Sequence, residues 1–202
     1  MTASKTAAKS PQDASLKDRL PPLPPETWND EQKAAAGEFQ SGRGYAVSGP
    51  FAVMLRSPEV MLRAKAMGDY LRFRNVLPKR VSEMVILVTA RTWTQGYEWS
   101  YHHPIAIEAG LKPEIAAAIA EGRRPDGMAD DEAVAYDFSH ELHTNRQVSD
   151  GTYAKALALF GERGVIDLVG INGYYSFLAM MMNVARTPSE AGKAPDLPRF
   201  PA

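Results

Sequence analysis

The sequence predicts an all-α protein, a single helical domain of about seven to eight helices with extended Pro-rich arms at both ends. Three observations predict it. No stretch between turn signals sustains the apolar–polar alternation of a strand. Helix-start signals recur along the chain, as at Ser57-Pro58-Glu59, Asp130-Asp131-Glu132 and Ser149-Asp150. Apolar residues then follow three and four apart, as at Val60, Ala64, Met67 and Leu71. The 202 residues suffice for one well-buried core, and no solenoid repeat is visible.

Residues 1–25 read as the N-terminal arm. Its first 20 positions are rich in Ala, Ser, Lys and Asp without an apolar stripe and are expected to be disordered. Pro21-Pro22-Leu23-Pro24-Pro25 then forms an extended polyproline-like strap. The helical domain occupies 26–188. Its first helix spans Asn29 to Phe39, with Asn29 as cap and Asp30 and Glu31 on the positive end of the helix dipole. A Gly- and Ser-rich loop follows, from Gln40 to Pro50. Ser57 caps a long helix with Pro58 at its first position. Pro78 opens the next, to about Arg91, carrying Val81, Met84, Val85, Leu87 and Val88 inside. Thr94 is the expected cap of a helix that Gly110 ends. Pro113 begins another, to Glu121-Gly122. Asp130-Asp131-Glu132 starts a helix ending near Thr144-Asn145, and Ser149-Asp150 one ending at Phe160-Gly161. A last helix takes Val165 to Ala185, closed by Thr187-Pro188, and residues 189–202 form a Pro-rich C-terminal arm.

Bulk composition narrows the function classes. A formal net charge of -1 gives no large field, so no nucleic-acid partner is expected. With no cysteine there can be no disulfide, thiolate metal site or cysteine nucleophile, which fits a cytoplasmic setting. The N-terminus has lysines but no apolar core of a secretory signal. Val165 to Ala185 is the most apolar stretch, yet Asp167, Gly170, Asn172 and Gly173 interrupt it. It reads as a buried or interface helix, not a membrane span.

The chemistry concentrates in Gln95-Gly96-Tyr97-Glu98-Trp99-Ser100-Tyr101-His102-His103. On a helix, Gln95, Glu98 and His102 fall on one face. A carboxylate one turn from an imidazole is a proton-transfer pair. Glu83 lies on an apolar helix beside Met84, Val85 and Leu87, where a lone carboxylate is costly. His102 would satisfy it if the two helices form a hairpin. Otherwise Glu98 and His102 are a surface pair and Glu83 a solvated edge.

Pro78-Lys79-Arg80-Val81-Ser82-Glu83, Ala90-Arg91, and Tyr97-Glu98-Trp99-x-x-His102-x-x-x-Ala106-x-x-x-Gly110 resemble the carboxymuconolactone decarboxylase family, whose all-α fold is shared with alkylhydroperoxidase-D proteins. The resemblance covers about residues 50–188 and is densest over 78–110. The peroxidase branch carries Cys-x-x-Cys-x-x-x-His with an upstream Glu. Aligned on His102, its cysteines fall on Gln95 and Glu98 and its Glu on Glu83. Disulfide cycling needs thiolates, so thiol peroxidase activity is not expected. The decarboxylase branch uses no metal or organic cofactor. The resemblance therefore implies a cofactor-free carbon–carbon lyase acting on a small carboxylated lactone or related organic acid from aromatic breakdown. His102 would be the proton donor or acceptor, Glu83 its orienting partner and Glu98 a second acid–base group. Gln95, Tyr97, Trp99 and Tyr101 are the expected substrate contacts, in a pocket between the Glu83 helix and the Glu98/His102 helix. The branch's Tyr-x-Gly-x-Pro element is matched here by Ile171-Asn172-Gly173-Tyr174-Tyr175, without the proline. The family forms trimers and hexamers, so a homo-oligomer (dimer, trimer or hexamer) is expected. The alternative is a non-catalytic ligand-binding or structural oligomer of the same family.

His103 points about 100° from His102 and is the alternative imidazole. Ser139-His140-Glu141-Leu142-His143 resembles a zinc motif, but position 144 is Thr and no third ligand is evident, so no metal is expected. Tyr174, Tyr175 and Phe177 could join an aromatic pocket. Met180-Met181-Met182 is too dense for one helix face, so at least one Met should meet a partner or a pliable pocket. Arg56, Arg72 and Arg74 are candidates for a substrate carboxylate.

Overall fold

The computed structural model describes residues 17–189 and 194–198. Among them are eight α-helices and no strand: α1 (Asp30–Arg43), α2 (Pro50–Met54), α3 (Pro58–Phe73), α4 (Lys79–Thr92), α5 (Gly96–Glu108), α6 (Pro113–Ala120), α7 (Asp130–Asn145) and α8 (Asp150–Ala185). The all-α expectation holds. The disorder expected at the start of the chain falls mostly outside the described residues.

Helix α4 is the centre of the domain and packs on α5, α6, α7 and α8. Val81, Met84, Val85, Ile86, Leu87, Val88 and Ala90 are all buried, so the helix has no solvent face between its first turn and its last residue. A helix apolar all round belongs in a core. The polar side chains it carries must then find partners inside the protein. Thr89 does so with Val85 O and with Asn172 of α8, which also donates to Ser139 of α7 and to Leu168 O. This network joins the three central helices.

The helix starts follow the sequence closely. Asn29 Oδ1 accepts from Gln32 N at 2.8 Å while Gln32 Oε1 accepts from Asn29 N at 3.0 Å, a reciprocal capping box. Glu132 reaches back to the Ala129 amide at 2.8 Å, and Ser149 accepts from Thr152 N at 3.3 Å. Ser57 precedes α3 without a side-chain cap bond. The break expected after Phe160 is present as a kink: Gly161 sits at φ 67°, ψ 176° inside an otherwise continuous α8.

Two connections differ from the expectation. The loop after α1 is shorter than expected, because α1 continues to Arg43 and Pro50 starts α2. Thr94 does not cap α5. It takes a left-handed conformation (φ 48°) and accepts from Arg91 Nη2, while Gln95 is the cap.

Helix α8 is, among the described residues, the one helix long and apolar enough to cross a membrane by length and composition. Its inner face is core: Leu168, Ile171, Tyr175, Leu178, Ala179 and Met182 are buried against the rest of the domain. Asp167 is buried too, accepting from Tyr70 Oη and Val76 N, both at 2.9 Å. These bonds fasten the α3–α4 connection to α8.

The arms act as straps. Pro24 has polyproline-like backbone angles, and the carbonyls of Pro21 and Leu23 accept from Arg56 and from Trp28 Nε1. At the other end Pro195 O accepts from Trp99 Nε1 at 3.0 Å, and Pro198 O accepts from Arg91.

Candidate active site

His102 of α5 is buried against Glu83 of α4, with Nδ1 2.7 Å from Glu83 Oε2. Its other nitrogen, Nε2, is 3.4 Å from Glu98 Oε2, one turn back on the same helix. Lys79 Nζ lies 3.2 Å from the second Glu83 oxygen. The four side chains form a line, Lys79–Glu83–His102–Glu98. The aromatic rings of Tyr101 and Tyr175 stand edge-on to the imidazole, each with its centroid 5.1 Å away. The ring therefore has little freedom to turn.

The charge states follow from the surroundings. Burial pushes the Glu83 carboxyl up, but the His102 hydrogen bond and Lys79 outweigh it, and the carboxyl is held below the ordinary carboxylate range. Burial pulls His102 below the usual imidazole value, and the opposing pull of Glu83 does not restore it. A neutral imidazole beside an ionised carboxylate donates Nδ1–H to that carboxylate, which leaves the Nε2 lone pair facing Glu98. Burial pushes the Glu98 carboxyl up to about 8, against the pull of Arg72 and with the push of Glu83. At neutral pH Glu98 thus carries a proton, 3.4 Å from an acceptor nitrogen.

Glu98 and His102 line a cavity of about 60 Å³ that opens to solvent. Tyr97 and Tyr101 line it from α5, Tyr174, Tyr175 and Leu178 from α8 and Phe51 from α2. Arg43 and Arg72 supply its cationic groups. The close approach of α3 to α8 depends on Gly68, where a Cβ would lie 2.3 Å from Tyr174 Oη. Gly49 combines a positive φ of 55° with the same crowding against Tyr97.

The sequence-based assignments separate on this geometry. Glu83, Glu98 and His102 come together, and Tyr97 and Tyr101 line the cavity. Glu83 is not on the cavity wall, because His102 stands in front of it. The pocket consequently opens away from α4, with walls from α2, α3 and α8, and not between the two helices as expected. Gln95 and Trp99, expected as substrate contacts, do not line the cavity. The Gln95 amide is consumed by capping Tyr97 N at 2.7 Å and by donating to Asn183 at 2.8 Å. Trp99 is 1% exposed and serves the C-terminal strap. His103 lies on another face of α5, with its ring against Trp99. Of the three arginines, Arg56 holds the N-terminal strap, Arg74 lies over Tyr70, and Arg72 reaches the cavity. Sequence reasoning missed Arg43 altogether.

Among the described residues no three His, Asp or Glu side chains converge as metal ligands. His140 stacks on Tyr136, while His143 turns inward to Thr89.

The helical arrangement and the Glu–His–Glu line define a cysteine-free protein of the alkylhydroperoxidase-D-like fold. Solved structures with a similar fold include an alkylhydroperoxidase AhpD core, described as an uncharacterized peroxidase-related protein from Ralstonia eutropha JMP134. The match has TM-score 0.69 and 17% identity, covering 87% of this chain and 93% of that one. The debrominase Bmp8 in complex with 2,3,4-tribromopyrrole superposes with TM-score 0.68 at 13% identity, covering 88% of this chain and 95% of that one. An uncharacterized peroxidase-related protein from Silicibacter sp. TM1040 gives TM-score 0.66 at 16% identity, covering 89% and 94%. At these identities the likeness is one of fold. Residues 58–138 match the model of the carboxymuconolactone decarboxylase family. No curated protein matches the sequence.

Proposed function

We propose that this protein is a cofactor-free acid–base enzyme, a carbon–carbon lyase acting on a small carboxylated lactone or related organic acid from aromatic breakdown. One observation carries the reading: the Glu98 carboxyl and the His102 imidazole, itself held by Glu83, stand 3.4 Å apart on the wall of one cavity. The family match over residues 58–138 supports the choice of reaction.

In the proposed reaction the bond between the ring carbon and its carboxylate breaks. Its electron pair moves into the conjugated carbonyl as a dienolate, and carbon dioxide leaves. Glu98 then gives its proton to carbon, and its carboxylate is reprotonated from solvent through His102 before the next cycle. Glu83 is a positioning residue: it fixes His102 as the Nδ1–H tautomer so that Nε2 can exchange a proton with Glu98. The tyrosines of the wall supply aromatic surface and hydroxyl donors for the enolate oxygen.

The test is carbon dioxide release from a panel of carboxylated muconolactones. The wild-type protein should turn over at least one of them, and His102→Ala and Glu98→Gln should not. Should no panel member react while His102→Ala lowers only thermal stability, the line of buried groups is a structural network in a ligand-binding or structural oligomer.

A homo-oligomer in the cytoplasm belongs to the same proposal. An exposed apolar stripe along α8 supports it: Ile166, Val169, Met180 and Val184 are 68, 44, 44 and 62% exposed at helical spacing. Val60 and Met67 of α3 border the same groove as Phe177.

A further inference from the structure

The cavity is smaller than a ring. Its free volume is about 60 Å³, whereas a void of roughly 150 Å³ is needed to take up even benzene. Part of the wall must therefore move when a cyclic ligand enters. Most of the wall is built into the core: Glu98 and His102 are buried on α5, Tyr174, Tyr175 and Leu178 on α8, and Phe51 on α2. The exception is the connection between α1 and α2, residues 44–49, which brings Tyr45 and Ser48 to the cavity. Gly44 and Gly49 bound it, both at positive φ, 77° and 55°. The amides of residues 45–49 donate no backbone hydrogen bond among the described residues. A segment without such bonds opens more easily than the helices beside it. Three contacts hold it in place. Arg43 Nη1 donates to Tyr45 Oη at 3.2 Å, the Tyr45 ring meets Phe39 edge-on at 5.7 Å, and Val47 is partly buried against the core. Tyr45 itself stays 42% exposed.

We propose that residues 44–49 are a gate on the cavity and that Tyr45 is its size-selecting side chain. The hinges are Gly44 and Gly49, whose left-handed backbone a side chain would strain. In the structure the gate is closed, and the cavity admits water but no ring. Opening breaks the Arg43–Tyr45 bond and lifts the Tyr45 ring from Phe39. Arg43 stays behind as the fixed post, because Asp69 holds its Nε and Nη2, each at 2.9 Å, and its guanidinium lies over Phe51. The contacts given up are one exposed hydrogen bond and one ring edge, so the open state is a minor population of the free protein. Closure over a bound ring shuts bulk water away from Glu98 and His102. The purpose of the gate rests on the reading of the cavity as the substrate site, but its opening takes place without a substrate.

The chain has no cysteine, so one introduced thiol reports access to the cavity. Leu178→Cys is placed in the full-length protein and labelled with methyl and with benzyl methanethiosulfonate, each rate normalised to that of free cysteine. The benzyl reagent should label slowly, at a rate that levels off as its concentration rises, because opening limits it. Adding Tyr45→Ala should speed benzyl labelling by about tenfold or more, the scale of one hydrogen bond and one ring contact, and methyl labelling by much less. Tyr45→Phe, which loses only the bond to Arg43, should fall between. Leu168→Cys, in the core and away from the cavity, gives the rate set by global unfolding and should be slower still. Benzyl labelling unchanged by Tyr45→Ala would overturn the proposal, as would equal normalised rates for the two reagents or labelling at 178 no faster than at 168. Glu98→Cys, a second thiol on the same wall, should give the same order, so the test stands if Leu178→Cys misfolds. Gated labelling with no lactone decarboxylated leaves the gate and removes the lyase reading, and turnover with ungated labelling does the reverse.

Discussion

His102 Nδ1 and Glu83 Oε2 are 2.7 Å apart although they are nineteen positions apart in sequence. The contact turns two costly groups into one acceptable unit. Alone, Glu83 would be a carboxylate buried on the central helix, and removing its partner exposes that cost. His102→Ala is expected to destabilise the fold by about 3 kcal/mol, as breaking a buried pair does, read from chemical denaturation. Glu83→Gln keeps the shape and an acceptor oxygen but removes the charge. It is expected to lower turnover by about a hundredfold, the scale of one acid–base contribution, with a much smaller effect on KM. Nitrogen NMR should show the imidazole losing its single-tautomer signature in that variant.

Glu98 should impose a pH dependence of opposite sign to an ordinary salt-bridged carboxylate. Its folded-state carboxyl holds the proton up to about 8, whereas an ordinary glutamate carboxyl loses it near 4.5. Between those values the folded protein binds one proton more than the unfolded chain, so stability falls as pH rises. The contribution is fully present below the unfolded value and is gone once pH has passed through the folded one. Unfolding free energy measured from pH 5 to 9 should show this downward slope, and Glu98→Gln should flatten it. Activity should fall above about pH 8 as the acid form is lost. A flat stability profile shared by both proteins would contradict the assignment.

Asp167 tests the frame that places Arg72. It accepts from Tyr70 Oη and from Val76 N, fixing the end of α3 and the turn that follows. Asp167→Ala leaves the Val76 amide without its acceptor and is expected to cost about 2 kcal/mol. Chemical denaturation of the variant beside the wild-type protein reads this loss. Asp167→Asn, which keeps one acceptor oxygen, should lose less stability.

The parts of this fold legible in the sequence are those governed by local rules. The Asn29 box, the Pro58 and Pro113 starts and the break near Gly161 depend on residues within one turn of each other. The Glu83–His102 pair was also legible, because a carboxylate in an apolar helix demands a partner and only one imidazole-bearing helix follows directly. What stayed hidden depended on long-range placement. Nothing local to Arg72 or Arg43 says that both reach one cavity or that Arg43 meets Asp69. Gln95 and Trp99 lie in the motif but are used by Asn183 and Pro195, both more than eighty positions away. Even the position of the pocket followed from α2, α3 and α8 and not from the motif helices.

The apolar stripe of α8 makes the assembly testable without any substrate. Met182 is buried in the core while Met180, two residues away, is 44% exposed, so the Met-rich turn presents both an inner and an outer face. A lone exposed apolar side chain needs no explanation. Four at helical spacing on one helix share one exposed face, and such a face is costly to leave in water. Val169→Asp combined with Met180→Asp is expected to shift the protein to a smaller species by light scattering. The shift should not require unfolding, because both side chains point away from the core and leave the Glu83–His102 pair untouched. An unchanged mass for the double variant, or a wild-type protein that is already monomeric, would remove the oligomer from the proposal and leave the stripe as a surface for some other contact.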